Sequence, residues 1–184
     1  MRRAKRNDMT LKIVQLNLGK NATATDELRY QAANDRIDIA LVQEAYVSNS
    51  FLAGAGLGAR VVKAKTQTGM GGGSVGAAII VFNQSIDVVK LTNLCSQYLA
   101  CVEVSGAFGS IYLVSAYFNF KESTKEHLDR LNGVLEVLKG KDILIGVGAN
   151  KKSVLWGSKA TDVKGELVEE FIEEHSQKFQ RLRN

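Results

Sequence analysis

The chain has 184 residues, with 24 basic side chains against 19 acidic ones for a formal charge of +5. That length gives room for one ordinary domain with a sizeable core, and a composition of 45% hydrophobic and 23% charged residues excludes wholesale disorder and collagen-like or repeat architectures. The charge sits in the ends: taking away the seven basic residues of 1–7 and 178–184 leaves 17 against 19, a body of −2.

In chain order, residues 11–17 read as a strand. Residues 26–35 read as a helix entered through Thr23 or Thr25, with Asp26 three residues after Thr23 as in a capping box. Residues 37–43 form an almost continuously apolar strand, the pattern of burial on both faces. Short strands near 59–65, 76–82, 86–92, 97–104 and 110–118 come next, spaced as antiparallel hairpins. Residues 124–139 are the clearest helix: Leu128, Leu131, Leu135 and Leu138 recur at three and four, and Gly140 follows as a C-cap. A buried-type strand over 142–147, a loop over 150–159 and a helix over 164–175 complete the pattern, the helix burying Leu167, Val168, Phe171 and Ile172. Hairpins in the middle and crossovers at each end predict a mixed α+β or layered α/β sandwich. The organisation is a basic tail over 1–9, one domain over 10–175 and a basic tail over 176–184. The longest apolar run, 75–82, is far below the ~20 residues of a membrane span, and 1–10 lacks the apolar stretch of a secretory leader.

Gly71, Gly73 and Gly76 match Gly-x-Gly-x-x-Gly, but a strand comes after them where a dinucleotide site needs a helix N-terminus. Residues 69–73 are read instead as a hairpin tip. His127 and His175 lie on predicted helices among charged neighbours and read as surface residues, which leaves a serine-histidine hydrolase or a paired-histidine zinc site unsupported. Cys95 and Cys101 are too few for a disulfide framework, so a reducing compartment fits. The chain has no proline.

The strand ends carry a better signal. Asn17 ends the first predicted strand, Glu44 the second and Tyr117 the seventh, and Asn150 comes after the eighth. In layered α/β proteins such positions hold side chains toward a shared crevice. A carboxylate suits a hard divalent ion, while two amides and a phenol can orient phosphate oxygens and a water.

At these residues the chain resembles the endonuclease/exonuclease/phosphatase superfamily. More narrowly, it resembles the apurinic-endonuclease-like domain of non-LTR retrotransposons of the arthropod lineage that inserts into ribosomal DNA. The matching runs are Val-Gln-Leu-Asn-Leu at 14–18, Asp-Ile-Ala-Leu-Val-Gln-Glu at 38–44, Val-Ser-Ala-Tyr-Phe at 114–118, Asn-Lys-Lys-Ser-Val-Leu-Trp-Gly-Ser at 150–158 and Gly-Glu-Leu-Val-Glu-Glu-Phe-Ile at 165–172. The resemblance implies a four-layered α/β sandwich and a Mg²⁺-dependent endonuclease that nicks target DNA in the nucleus. The nick primes a reverse transcriptase carried in cis by the parent element. It implies Glu44 as metal ligand, Asn17 and Asn150 as orienting groups for phosphate and water, and Tyr117 as a contact to the scissile phosphate. Lys151, Ser153 and Trp156 are the implied DNA contacts.

Three departures qualify this. The family carries an aspartate, the base on the attacking water, where this chain has Gly148; no Ser-Asp-His tripeptide occurs; and the chain stops at Asn184, just after the last predicted helix. The expectation is a fold of this type incomplete at its C-terminus and an impaired enzyme. The alternative is a non-catalytic decayed or domesticated module that binds DNA or protein through its basic tails. The family's prolines after glutamine-glutamate and before leucine-tryptophan are replaced by Ala45 and Val154, which reads as relaxed constraint.

Overall fold

The computed structural model describes residues 10–48, 51–52, 58–65 and 74–181. The N-terminal basic stretch, the expected hairpin tip at 69–73 and residues 182–184 lie outside the described residues. Two compact units result, one of Met1–Tyr117 with Asp142–Val147 and one of Phe118–Lys141 with Gly148–Asn184.

The first unit is built from β1 (Ile13–Asn17), α1 (Ala22–Asn34), β2 (Ile39–Ser48), β3 (Phe51–Leu52), β4 (Arg60–Lys63), β5 (Ser74–Val81), β6 (Asp87–Lys90), β7 (Leu99–Gly106), β8 (Gly109–Tyr117) and β9 (Ile143–Gly148), whose last residue falls in the second unit. One sheet has the order β1-β2-β5-β4 with β3 paired to β2, and the other the order β6-β7-β8-β9. β1 and β2 run parallel across the α1 crossover, whereas β2 with β5, β4 with β5, β6 with β7 and β7 with β8 are antiparallel. Between the sheets, Ile39, Leu41, Ile79 and Val81 join Ala100, Val102, Val104 and Leu113 in one cluster. On the other face Ala40, Val42 and Ile80 join Leu28 of α1. The continuous apolarity of 37–43 thus reflects a strand buried on both faces.

α1 starts earlier than the threonine pattern predicts. Gly19 and Lys20 both take left-handed φ values, 56° and 60°, and the turn they make presents Asn21 as the N-cap, its Oδ1 accepting from the Ala24 N–H at 3.1 Å. Thr25 is instead buried, its hydroxyl donating to the Asn21 carbonyl at 2.8 Å and accepting from the Tyr46 N–H at 3.3 Å.

The second unit holds α2 (Thr124–Val137) and α3 (Val163–Arg181), which pack on each other. Ser123 and Glu126 close a full capping box on α2, whose buried face carries Leu131, Val134, Leu135 and, just past its end, Leu138. On α3 the packed seam is Val168, Phe171 and His175, so Leu167 and Ile172, expected in the core, flank it and are 40% and 48% exposed. Among the described residues no helix is long and apolar enough to cross a membrane.

Both histidines are buried, against expectation. His175 bridges the Phe171 carbonyl at 2.8 Å and Asn132 Oδ1 at 3.0 Å, tying α3 to α2. The His127 ring stacks on Phe118 at 4.7 Å, with Nε2 at 3.3 Å from the Asn119 carbonyl and Nδ1 at 3.1 Å from Arg130, which pairs with Glu122 at 2.9 Å. Charged flanking residues hid this, because Glu122 and Arg130 form the polar rim over a stacked ring. Burial holds the His127 pKa below its ordinary value, so the folded state favours the neutral ring. The unfolded chain then binds the extra proton first. Stability is therefore full above about pH 6.5 and is lost as pH falls below it. Thermal melts at pH 7.5, 6 and 5 should show a declining midpoint that flattens in His127→Gln; a wild-type midpoint unchanged over that window would refute the assignment.

Candidate active site

Glu44 does not end its strand. β2 runs through it to Ser48, and Glu44 itself has φ +49°, a left-handed conformation uncommon for a residue with a side chain. The cluster against α1 takes Ala40 and Val42 before this point and Ala45 and Val47 after it, so the two-residue alternation of the strand is reset at Glu44. Backbone bonds fix the kink: the Leu18 N–H donates to the Gln43 carbonyl at 2.8 Å and the Lys20 N–H to the Glu44 carbonyl at 2.7 Å. The turn leaving β1 is thereby clamped alongside β2.

This geometry sets the side chains. The Tyr117 hydroxyl, at the end of β8, donates to Glu44 Oε1 at 2.8 Å, and Lys20 Nζ lies 3.4 Å from the same oxygen. Opposite Glu44 on β5 stands Gly76, where an added Cβ would lie 3.0 Å from the Tyr98 ring and 3.5 Å from that of Tyr117. The glycine of the rejected nucleotide motif thus leaves space for the Tyr98 ring, which packs edge-on against the site tyrosine Tyr117. Asn17 ends β1 in register with Gln43, one residue from Glu44, and its Oδ1 accepts from the Gly19 N–H at 3.0 Å. The turn uses the oxygen of that amide and leaves its NH₂ donors to an external acceptor. Lys20 is the charged neighbour that sequence reasoning missed; a Gly-Lys pair beginning two residues past the end of β1 was the available signal.

The remaining predicted residues belong to the second unit. Gly148 closes β9 and is buried, its carbonyl accepting from the Phe118 N–H at 3.0 Å; it brings no side chain to the strand end. Asn150 has φ +52°, which asparagine tolerates better than most, and its Nδ2 donates to the Phe118 carbonyl at 3.3 Å. Ser153 is fully buried: its hydroxyl donates to Glu169 on α3 and accepts from the Leu155 N–H at 2.9 Å. It is therefore a clamp for the loop, and no part of it faces outward to touch DNA. Lys151 and Trp156 do lie at the surface side of that loop, joined by the indole N–H donating to the Lys151 carbonyl at 3.0 Å.

The first group suits a hard divalent cation of the Mg²⁺ type, which keeps most of its water and takes one or two carboxylates plus substrate oxygens. Glu44 would supply the carboxylate. Among the described residues no group of three or more His, Cys, Asp or Glu gathers, so an all-protein cage is not present. The cysteines offer nothing here, since both are buried and burial pushes the Cys101 thiol up to about 12.

No protein-family model matches the chain. It is 29% identical over 167 residues, 86% of its length, to the 115 kDa protein of the type-1 retrotransposable element R1DM of Drosophila melanogaster, of which it spans 16%. It overlays the solved endonuclease domain of TRAS1, a telomere-specific non-LTR retrotransposon, with a TM-score of 0.78 and 31% identity over 90% of this chain and 70% of that one. An AP endonuclease from Archaeoglobus fulgidus, at 20% identity and a TM-score of 0.57 over 90% of this chain and 70% of that one, shares the fold. The two sheets and three helices of the described residues are therefore those of the endonuclease/exonuclease/phosphatase fold. Within it, the chain belongs to the family of non-LTR retrotransposon endonuclease domains, as the resemblance implied.

The loop of 151–162 depends on one glycine. A Cβ at Gly165 would lie 2.0 Å from the Lys152 carbonyl oxygen, a backbone atom that accepts from the Asp162 N–H at 3.0 Å. Gly165→Ala should destabilise the protein by about 1–3 kcal/mol and open the loop to proteolysis. Limited digestion and a denaturant titration check this, and an unchanged midpoint would show that the clamp is not needed.

Proposed function

We propose that this domain hydrolyses a phosphodiester bond of DNA with a divalent ion of the Mg²⁺ type held through Glu44, and does so slowly. In the parent element that nick would prime a reverse transcriptase in cis, in the nucleus. The observation that carries the reading is the pairing of the Glu44 carboxylate with the Tyr117 hydroxyl at 2.8 Å, beside the Asn17 amide. Bound there, the ion supplies charge neutralisation on the non-bridging phosphate oxygens.

The chain's own groups do the rest. Tyr117 gives its one phenolic proton to Glu44 Oε1 and so positions that carboxylate; it can donate to the scissile phosphate only once that carboxylate oxygen turns to the ion. Asn17 presents NH₂ donors to a phosphate oxygen, and Lys20 adds a positive charge that attracts the phosphodiester and steadies the carboxylate. The resemblance assigns Asn150, a residue of the second unit, the role of orienting the attacking water. The resemblance also implies an aspartate as the base on that water where this chain has Gly148, and a positioned base is worth ~10²–10⁴ in rate.

Supercoiled plasmid incubated with Mg²⁺ tests this. Slow, EDTA-sensitive nicking that disappears in Glu44→Gln and falls in Tyr117→Phe is expected. Equal nicking by Glu44→Gln and wild type would overturn the assignment of the site, and rapid nicking by wild type would overturn the role given to Gly148.

A further inference from the structure

The second unit spends an unusual number of hydrogen bonds on holding apolar side chains out in water. The turn Val154–Trp156 is capped by the Ser153 hydroxyl and closed by Gly157 at φ +86°. The Val154 N–H donates to Thr161 Oγ1 at 3.2 Å, and that hydroxyl donates to Glu169 Oε1 at 3.2 Å. Asp162 accepts from the Lys152 N–H at 3.3 Å and the Gly165 N–H at 2.7 Å. On this fixed frame Leu155 is 69% exposed, Val154 58% and Trp156 40%. Phe120, 78% exposed, is reached from the same place, because Lys151 Nζ lies 5.5 Å from its ring centre while the Lys151 carbonyl binds the Trp156 indole.

The charge around them selects the occupant. Residues 151–164 carry four lysines, Lys151, Lys152, Lys159 and Lys164, and of the two carboxylates in the frame Asp162 is taken by backbone donors and Glu169 by the hydroxyls of Ser153 and Thr161. Burial and the nearby Lys164 hold the Lys151 pKa below its usual value. Cations interleaved with exposed rings match a phosphate backbone with accessible bases. An apolar protein partner would not need four lysines.

We propose that Phe120, Leu155 and Trp156 form a base-contacting surface: DNA whose phosphates are held by the surrounding lysines lays the faces of unstacked bases on these side chains. This rests on the reading of the chain as a domain that acts on DNA, and adds that it grips bases as well as backbone.

Trp156 is the only tryptophan in the chain, so its emission reports on this surface alone. The full chain, in EDTA to prevent cleavage, is titrated with a labelled duplex carrying an unpaired base and with the fully paired duplex. Saturable quenching of Trp156 is expected, tracking the anisotropy of the label and tighter for the unpaired duplex. Phe120→Ala and Leu155→Ala should each weaken binding about tenfold without changing its salt dependence. Lys151→Ala with Lys152→Ala should lower the salt slope by up to about two. Phe120, Leu155 and Trp156 are exposed and Lys151 is only partly buried, so circular dichroism should stay unchanged, and Trp156→Phe should keep the affinity that Trp156→Ala loses. DNA binding that leaves Trp156 emission unmoved, or that ignores Phe120→Ala and Leu155→Ala, overturns the proposal even where plasmid nicking is seen; quenching without nicking sustains it and sinks the hydrolase reading. Absence of any DNA binding overturns both, as does quenching by a protein partner alone.

Discussion

The side chain of Gln43 has no exposed surface and lies between the two sheets of the first unit, where burying an amide is tolerated only if its polar atoms find partners. They do: Nε2 donates to Ser115 Oγ on β8 at 3.0 Å and to the Gly146 carbonyl on β9 at 3.3 Å, and Oε1 accepts from Gln15 Nε2 on β1 at 2.6 Å. Ser115 passes its own proton to the Val42 carbonyl at 2.9 Å. Four strands from two sheets are thereby registered by one residue. A one-residue slip of any of them would leave a buried donor or acceptor orphaned, a penalty of about 1–3 kcal/mol that apolar packing between sheets does not impose. Close approach is part of the arrangement, since a Cβ on Gly146 would sit 2.9 Å from Gln15 and 3.0 Å from Leu41.

Pinning Gln43 also pins its neighbour. With the amide held between the sheets and the next carbonyl taken by the Lys20 N–H, the chain passes through Glu44 only by adopting a left-handed φ, which costs of order 1 kcal/mol for a non-glycine residue. The neighbouring bonds over-determine that conformation, and the result is a carboxylate aimed at the Tyr117 hydroxyl from a strand interior. Rigid placement on strands, with the supporting bonds one layer behind, is what a phosphate-handling site requires.

Much of this is legible in the sequence, for physical reasons that also mark where legibility stops. Period-two and unbroken apolar runs locate the strands because burial dictates them, and Asn17, Tyr117 and Asn150 stand out because a polar residue that ends an apolar run has few structural excuses. Glu44 stands out in the same way, yet the pattern makes it a strand end: a kink made by tertiary hydrogen bonds leaves no periodic trace. Gln43 is easily passed over within its apolar run, although a lone amide there is itself a signal of a buried partner. His127 and Ser153 mislead for one reason. Burial of a polar residue depends on partners outside its own local pattern, Phe118 and Asn119 for the first and Glu169 for the second.

The absence of proline has a different meaning at each of the two positions, 45 and 154, where the resemblance implies one. Ala45 lies inside β2 opposite Val75, in a strand that continues for three more residues to Ser48; an N–H is available there that proline would remove. Val154 uses its N–H outright, donating to Thr161, which in turn donates to the carboxylate that receives Ser153. A proline at 154 would fix φ but delete that donor. The loop is held by a hydrogen-bonded tie in place of a constrained ring, so the absence of proline here is not a sign of slackened structure.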